Sequence, residues 1–170
     1  MLCIDPAFTT EERGLIIAAR NEWVKAADSD SAYLKLADEC DDSDPYAAKI
    51  RMLDPFSPEG QEAEAYYFSI HPEQDHIYLG IWHSEYGNFH LDLVPTEIYA
   101  DAQRNEVPYW VHFLHTTMHE MGHALGVHHL GVGGLMGSPA DPHVDCIDKA
   151  AISTYCKSEY CGPNAGSTCP

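Results

Sequence analysis

The spacing of apolar residues predicts helices near both ends of the chain and strands between them. In the first 28 residues, apolar side chains recur at intervals of three and four, which is the period of one helix face. These positions are Leu15, Ile16, Ala19, Trp23 and Ala26. The segment from Thr9 to Glu12 places hydroxyls and acids where a helix begins. We therefore predict a first helix that ends near Asp28.

Between residues 65 and 95 the pattern changes to short β-rich runs separated by turn residues. The predicted strands are Ala65 to Ile70, His76 to His83 and Asn88 to Val94. A second helix is predicted to begin at Pro108, and it is too apolar to lie on the surface. A third is predicted from Asp145 to Tyr155. The chain is therefore predicted to mix helices and strands, in the α/β (α+β) class.

The second predicted helix carries histidines at the spacing of metal ligands. The stretch from His119 to His129 reads HEMGHALGVHH. Residues four apart lie on one helix face, so the rings of His119 and His123 can reach the same ion. Gly126 can take the left-handed conformation that ends a helix, and the turn then returns His129 as a third ligand. Three imidazoles leave the fourth position of a tetrahedral zinc open, which is typical of a catalytic site.

Two neighbours of these histidines bear on the assignment. Glu120 directly follows the first ligand, which points its carboxylate beside the metal, where a general base is needed. His128 competes with His129 for the role of third ligand, and the spacing after Gly126 favours His129.

On these residues the chain resembles the metzincin metallopeptidases, because H-E-x-x-H-x-x-G-x-x-H is matched at every specified position. The letters HALG are especially similar to those of matrixins. Met136, seven residues after His129, matches the methionine that this family carries in a turn beneath the metal. The resemblance is specific from Pro108 to Pro139.

The resemblance implies a single catalytic metallopeptidase domain, residues 1–170, with the metzincin-like zincin fold. That fold has a twisted mixed β-sheet and three main helices. Its active-site cleft lies between an upper subdomain, residues 1–129, and a small lower one, residues 130–170, that holds the Met-turn and the cysteine-rich tail.

The resemblance also implies a zinc-dependent endopeptidase acting on proteins or peptides. His119, His123 and His129 would hold one catalytic zinc, which polarises the scissile carbonyl and lowers the pKa of its bound water. Glu120 would take the proton of that water and pass it to the leaving amine. Met136 would give the site an apolar floor, and residues 137–140 would line the pocket for the residue after the cut bond.

In metzincins the strand beside the cleft runs antiparallel to the bound peptide and pairs with its backbone. The runs Ile77 to His83 and Phe89 to Val94 are both candidates for this strand, and the sequence does not choose between them.

The sequence contains two further sets of residues that could bind a second zinc or calcium. Matrixins carry a structural zinc on three histidines and an aspartate, but the spacing of the candidates here differs, and we predict no such site. Those candidates are His71, Asp75, His76, His83, His90 and Asp92. Asp41, Asp42 and Asp44 offer carboxylates for calcium, but without a calcium-loop pattern a solvated acidic loop is favoured.

Composition narrows the class of protein. With 170 residues, of which 45% are hydrophobic, the chain can bury the core of one domain. Its net charge of −18, from 27 acidic and 9 basic residues, repels nucleic acids and anionic membranes. No apolar stretch approaches the roughly twenty residues that span a bilayer. We expect a soluble monomer whose partners are protein or peptide substrates.

The cysteines point to an oxidising compartment. There are six, four of them among the last 25 residues: Cys3, Cys40, Cys146, Cys156, Cys161 and Cys169. We predict a disulfide-stapled tail and a secreted protein, rather than a cytosolic one with reduced thiols. No signal peptide is recognised from Met1 to Pro6, so we expect that a leader was removed. If residues 145–157 form one helix, Cys146 and Cys156 lie roughly 15 Å apart and must bond other partners.

Two other functions remain as alternatives. One is a catalytically silent zinc-binding interaction module, against which the intact Glu120 counts, because such a module needs no base beside an open metal position. The other is a secreted disulfide scaffold, which would bind no metal.

Overall fold

The computed structural model describes residues 2–29, 48–58, 61, 65, 80–85, 88–137, 141–158 and 161–170. These residues form four strands and four helices, and they confirm the general α+β class. The strands are β1 Leu2–Ile4, β2 Ala48–Met52, β3 Gly80–Glu85 and β4 Asn88–Leu93. The helices are α1 Thr10–Ala27, α2 Pro95–Arg104, α3 Tyr109–Ala124 and α4 Lys149–Tyr155. None of these helices is both long and apolar enough to cross a membrane.

The four strands make one mixed sheet in the order β1-β2-β4-β3. Strands β1, β2 and β4 are parallel, whereas β3 runs antiparallel to β4. Within the described ranges, β4 therefore has a neighbour on each side and β3 lies at an edge. The predicted strand Asn88 to Val94 is confirmed as β4, and the end of the predicted strand His76 to His83 is confirmed in β3.

Two predictions of secondary structure are corrected. Helix α2 was not predicted and adds to the three helices that were expected; it buries only Ile98 and Ala102, too few apolar positions to show a helical period. Ala65, the predicted start of a strand, is helical, and residues 66–70 and 76–79 of the predicted strands lie outside the described residues.

The predicted third helix also starts later than expected, at Lys149 instead of Asp145. Asp148 has an extended backbone, and its side chain accepts hydrogen bonds from the amides of Ala150 and Ala151, both at 2.9 Å. These bonds fix the first turn of α4 immediately after Asp148.

Helix α1 confirms the first predicted helix, including its ends. Thr9 and Glu12 form a capping box, and Asp28 ends the helix in the left-handed conformation. The apolar face packs against α3 and contributes Ile16 and Trp23 to the core, both fully buried. Trp23 Nε1 donates a hydrogen bond to the carbonyl of Met118 at 2.9 Å. Helix α1 thereby fixes α3 from behind.

Disulfides hold the C-terminal tail. Cys146 bonds Cys169 and Cys156 bonds Cys161, with Cα–Cα distances of 5.0 and 5.3 Å. Cys3 is also disulfide-bonded. The prediction that Cys146 and Cys156 have different partners is thus confirmed.

The tail also bonds directly to the end of α1 and to the segment before α4. The amides of Gly162 and Gly166 donate to the last carbonyls of α1, at Ala27 and Ala26, both at 2.8 Å. The amide of Thr168 donates to the carbonyl of Ile147 at 2.9 Å. The tail therefore joins the end of α1 to the segment that begins α4.

We predict that Glu12→Gln destabilises the protein near neutral pH by about 1 to 2 kcal/mol. The reason is that Glu12 accepts charge-assisted hydrogen bonds, from Tyr109 Oη at 2.6 Å and from the Thr9 amide and hydroxyl at 2.9 and 2.8 Å. Burial raises the pKa of Glu12, but the bonds from Tyr109 and Thr9 together lower it below its usual 4.5.

A carboxyl whose pKa is lower in the folded state stabilises above its unfolded pKa, and this stabilisation is lost as the pH falls through the folded value. Urea unfolding should therefore show a constant difference between wild type and Glu12→Gln near neutrality that shrinks below about pH 4.5. Glu11→Gln, an exposed neighbour in the same turn, is the matched control. A difference independent of pH would contradict this account.

Candidate metal centre

The end of helix α3 brings the first two histidines of the motif to one face. His119 and His123 lie one turn apart, and the helix ends at Ala124. Gly126 has φ +81°, and the amide of Val127 donates to the carbonyl of Gly122 at 2.9 Å. A Cβ at this position would meet no atom within 4 Å, so space is not what requires glycine. The left-handed backbone conformation is what favours it. This turn reverses the chain toward the helix.

The reversal brings a third histidine to the other two. Nε2 of His119 lies 3.1 Å from Nε2 of His123 and 3.3 Å from Nε2 of His129. All three candidate ligand atoms lie within 4.8 Å of one another, and no other such group occurs among the described residues. His128 is exposed and does not belong to the group.

The rings of His119 and His123 are held from behind by backbone carbonyls. Nδ1 of His119 lies 2.7 Å from the carbonyl oxygen of Leu135, and Nδ1 of His123 lies 2.8 Å from that of Val127. A carbonyl oxygen can only accept, so Nδ1 carries the proton and Nε2 of the neutral ring keeps its lone pair. Burial lowers the pKa of both histidines, which favours the neutral form that binds metal.

The donor set fits a zinc ion. In a tetrahedral site with Zn–N bonds of about 2.0 to 2.1 Å, two ligand nitrogens lie about 3.3 to 3.4 Å apart. The separations from His119, 3.1 and 3.3 Å, are close to this value. Lone pairs that face one another at this distance repel unless a cation lies between them. The three histidines can therefore hold a metal ion, and their chemistry is compatible with zinc.

Glu120 lies on the same helix turn as His119 and His123. It is 8% exposed, so most of its side chain is removed from solvent. Burial lowers the pKa of His123, and the negative charge of nearby Glu120 acts in the opposite direction. The carboxylate thus lies near enough to the histidine group to influence its protonation.

Met136 packs directly beneath the helix that carries the ligands. It is 1% exposed, and its carbonyl accepts from the amide of Leu130 at 2.8 Å, which closes the loop after His129. A Cβ on Gly122 would collide with Sδ of Met136 and would lie 3.0 Å from Cζ2 of Trp23. Gly122, an unspecified position of the motif, therefore admits the methionine, a role that the sequence analysis missed.

The role of Asp148 was also not predicted from the sequence. This residue supports the ligand His119 through one intervening residue, Leu135. Its Oδ1 caps α4, while its Oδ2 accepts from the amide of Leu135 at 2.9 Å. The carbonyl of the same Leu135 holds the ring of His119. Only the local pattern of an acid before a helix was visible in the sequence, because Leu135 is 13 residues away.

Two further histidines of α3 are buried and have partners outside the ligand group. His112 Nε2 lies 2.9 Å from a carboxylate oxygen of Asp101. Nδ1 of His115 lies 2.8 Å from the carbonyl oxygen of Val144, and burial lowers the pKa of His115 to about 4. They join α3 to α2 and to the segment before α4.

The remaining candidate residues are only partly described. Asp92 is fully buried and binds Arg51 through two bonds of 2.7 and 2.8 Å. Residues 71–76 and 41–44, considered for a second zinc and for calcium, lie outside the described residues, as do residues 138–140 of the expected substrate pocket.

No protein-family model, curated protein or solved structure matches this chain.

We predict that His129→Ala lowers zinc affinity by more than about a hundredfold, since losing even a hydrogen bond that supports a ligand costs about 10- to 100-fold. His128→Ala should leave the affinity unchanged, because this side chain lies outside the group. Competition with a chromophoric chelator measures both variants. The opposite ranking would show that His128 is the ligand.

Asp148→Asn should weaken zinc binding by about tenfold. The amide oxygen can still cap α4, but the amide nitrogen faces the Leu135 N–H and cannot accept from it. Leu135, whose carbonyl holds His119, therefore loses this hydrogen bond. Asp145→Asn, an exposed change in the same segment, is the control. Equal zinc affinity in the two variants, measured by the same competition, would refute this link.

Proposed function

We propose that this protein is a zinc-dependent endopeptidase that hydrolyses peptide bonds in proteins or peptides, in the manner of the metzincins it resembles. The observation that carries the proposal is the convergence of His119, His123 and His129, with Glu120 buried on the same helix turn. Neutral nitrogen ligands, an open metal position and a nearby carboxylate base together suit a hydrolytic zinc site.

Each residue has a separate part in the proposed reaction. When bound, zinc would supply a Lewis acid that polarises the scissile carbonyl and favours deprotonation of the attacking water. The histidines orient their Nε2 lone pairs toward one point, because the carbonyls behind His119 and His123 fix the tautomer. A carboxylate oxygen of Glu120 takes the proton from the water and passes it to the nitrogen of the leaving amine.

The sheet supports a way to hold a peptide substrate. Of the two strand candidates, β4 is paired on both sides, whereas β3 has no described partner on its outer edge. Strand β3 packs against α3, which carries Glu120 and two of the histidines. We therefore assign peptide binding to β3, where an extended substrate adds as a further strand through backbone hydrogen bonds.

The setting of the reaction belongs to the same proposal. Disulfides hold the tail, as expected for a secreted protein. The net charge of −18 disfavours anionic polymers and membranes as partners, and we propose that the protein acts as a monomer on protein substrates.

The test is the removal of the proposed base without removal of the ligands. Glu120→Ala should keep one zinc ion per chain but lower kcat/KM on a peptide library by about 10²- to 10⁴-fold, because the proton acceptor is lost. Zinc content and cleavage are measured on the same preparation, with Glu11→Ala as an exposed control.

The alternatives give different results. Wild-type protein that binds zinc but cleaves nothing would favour the silent interaction module, and protein that binds no zinc would favour the disulfide scaffold. Activity of Glu120→Ala within about tenfold of wild type would remove Glu120 from the mechanism.

A further inference from the structure

The edge strand touches the proposed base through a glycine. Gly80 is the first residue of β3 and is buried. A Cβ built on Gly80 would lie 3.2 Å from Cγ of Glu120, closer than the roughly 3.5 to 4.0 Å of ordinary carbon contacts. Strand and helix can approach this closely only because residue 80 has no side chain.

Gly80 also faces two groups of the neighbouring strand. The same Cβ would lie 3.0 Å from the carbonyl oxygen of Asp92 and 3.0 Å from Cδ2 of Leu93. Both belong to β4, which is paired on both sides, and the Asp92 side chain is bound to Arg51. A methyl group added at residue 80 therefore presses on Cγ of Glu120 as well as on β4.

We propose that Gly80 is a positioning residue for Glu120: the bare backbone at the start of β3 forms the wall that sets where the carboxylate lies relative to the three histidines. This inference rests on the proposed function. The rings of His119 and His123 are held by carbonyls of Leu135 and Val127, outside β3, so a change at Gly80 acts on the base rather than on these two ligands.

The backbone permits a clean substitution. Gly80 is not among the glycines with positive φ, so alanine adds a methyl group without backbone strain of that kind. Gly80→Ala should lower kcat by about 3- to 10-fold, since Glu120 must give by a few tenths of an ångström and a displacement of about 1 Å at a reacting group can cost about 10²-fold. KM and zinc affinity should stay within about threefold, since ligands and substrate strand are retained.

A control variant and a double mutant separate positioning from general packing. Gly14→Ala is the control, because a Cβ there meets nothing within 4 Å. Glu120→Ala removes the Cγ that the new methyl group would press against. If Gly80 acts through Glu120, the double variant G80A/E120A should have the kcat of E120A, and G80A should lower the Tm by less in the E120A background than in wild type.

The outcomes decide the inference directly. Unchanged kcat in G80A, a loss of zinc in G80A, or the full additional loss of kcat in the double variant would overturn it. If wild-type protein shows no peptidase activity, the proposed function fails, and the Tm cycle alone decides whether Gly80 holds Glu120. An equal Tm loss in both backgrounds would then overturn the contact itself.

Discussion

The hydrogen bond from Nδ1 of His119 to the carbonyl of Leu135 is the interaction on which the site depends. It fixes the tautomer and direction of the ring whose Nε2 lies nearest to both other ligand nitrogens. The N–H of the same Leu135 is held in turn by Asp148, which also starts α4. One carboxylate therefore couples the geometry of the metal site to the folding of the C-terminal helix.

A second constraint is the absence of a side chain at two positions where the ligand helix α3 meets other elements. At Gly122, the missing Cβ lets Met136 and Trp23 reach the backbone of α3 from one side. At Gly80, it lets β3 approach Glu120 from another. The ligand helix is thus enclosed by packing distances that only glycine allows, which limits the movement of the groups it carries.

The parts of the structure that follow from local periodicity could be predicted from the sequence. Helix α1 and its caps, strand β4 and the histidine spacing on α3 all depend on residues within a few positions of one another. Helix α2 could not, because only two of its side chains are buried. The supporting roles of Asp148, Gly122 and Gly80 arise from contacts between distant segments, and a single sequence carries no periodic signal for those.

The length of chain between bonded partners has a consequence for how the protein is made. Tyr109 bonds Glu12 across 97 residues, and Asn164 bonds Asp28 across 136. Contacts between such distant residues form late, because the entropy of closing long loops must be overcome first. During synthesis, α1 therefore remains without these two partners until Tyr109 and then Asn164 have been made. The bond between Asn164 and Asp28 therefore cannot form before the cysteine-rich tail has been synthesised.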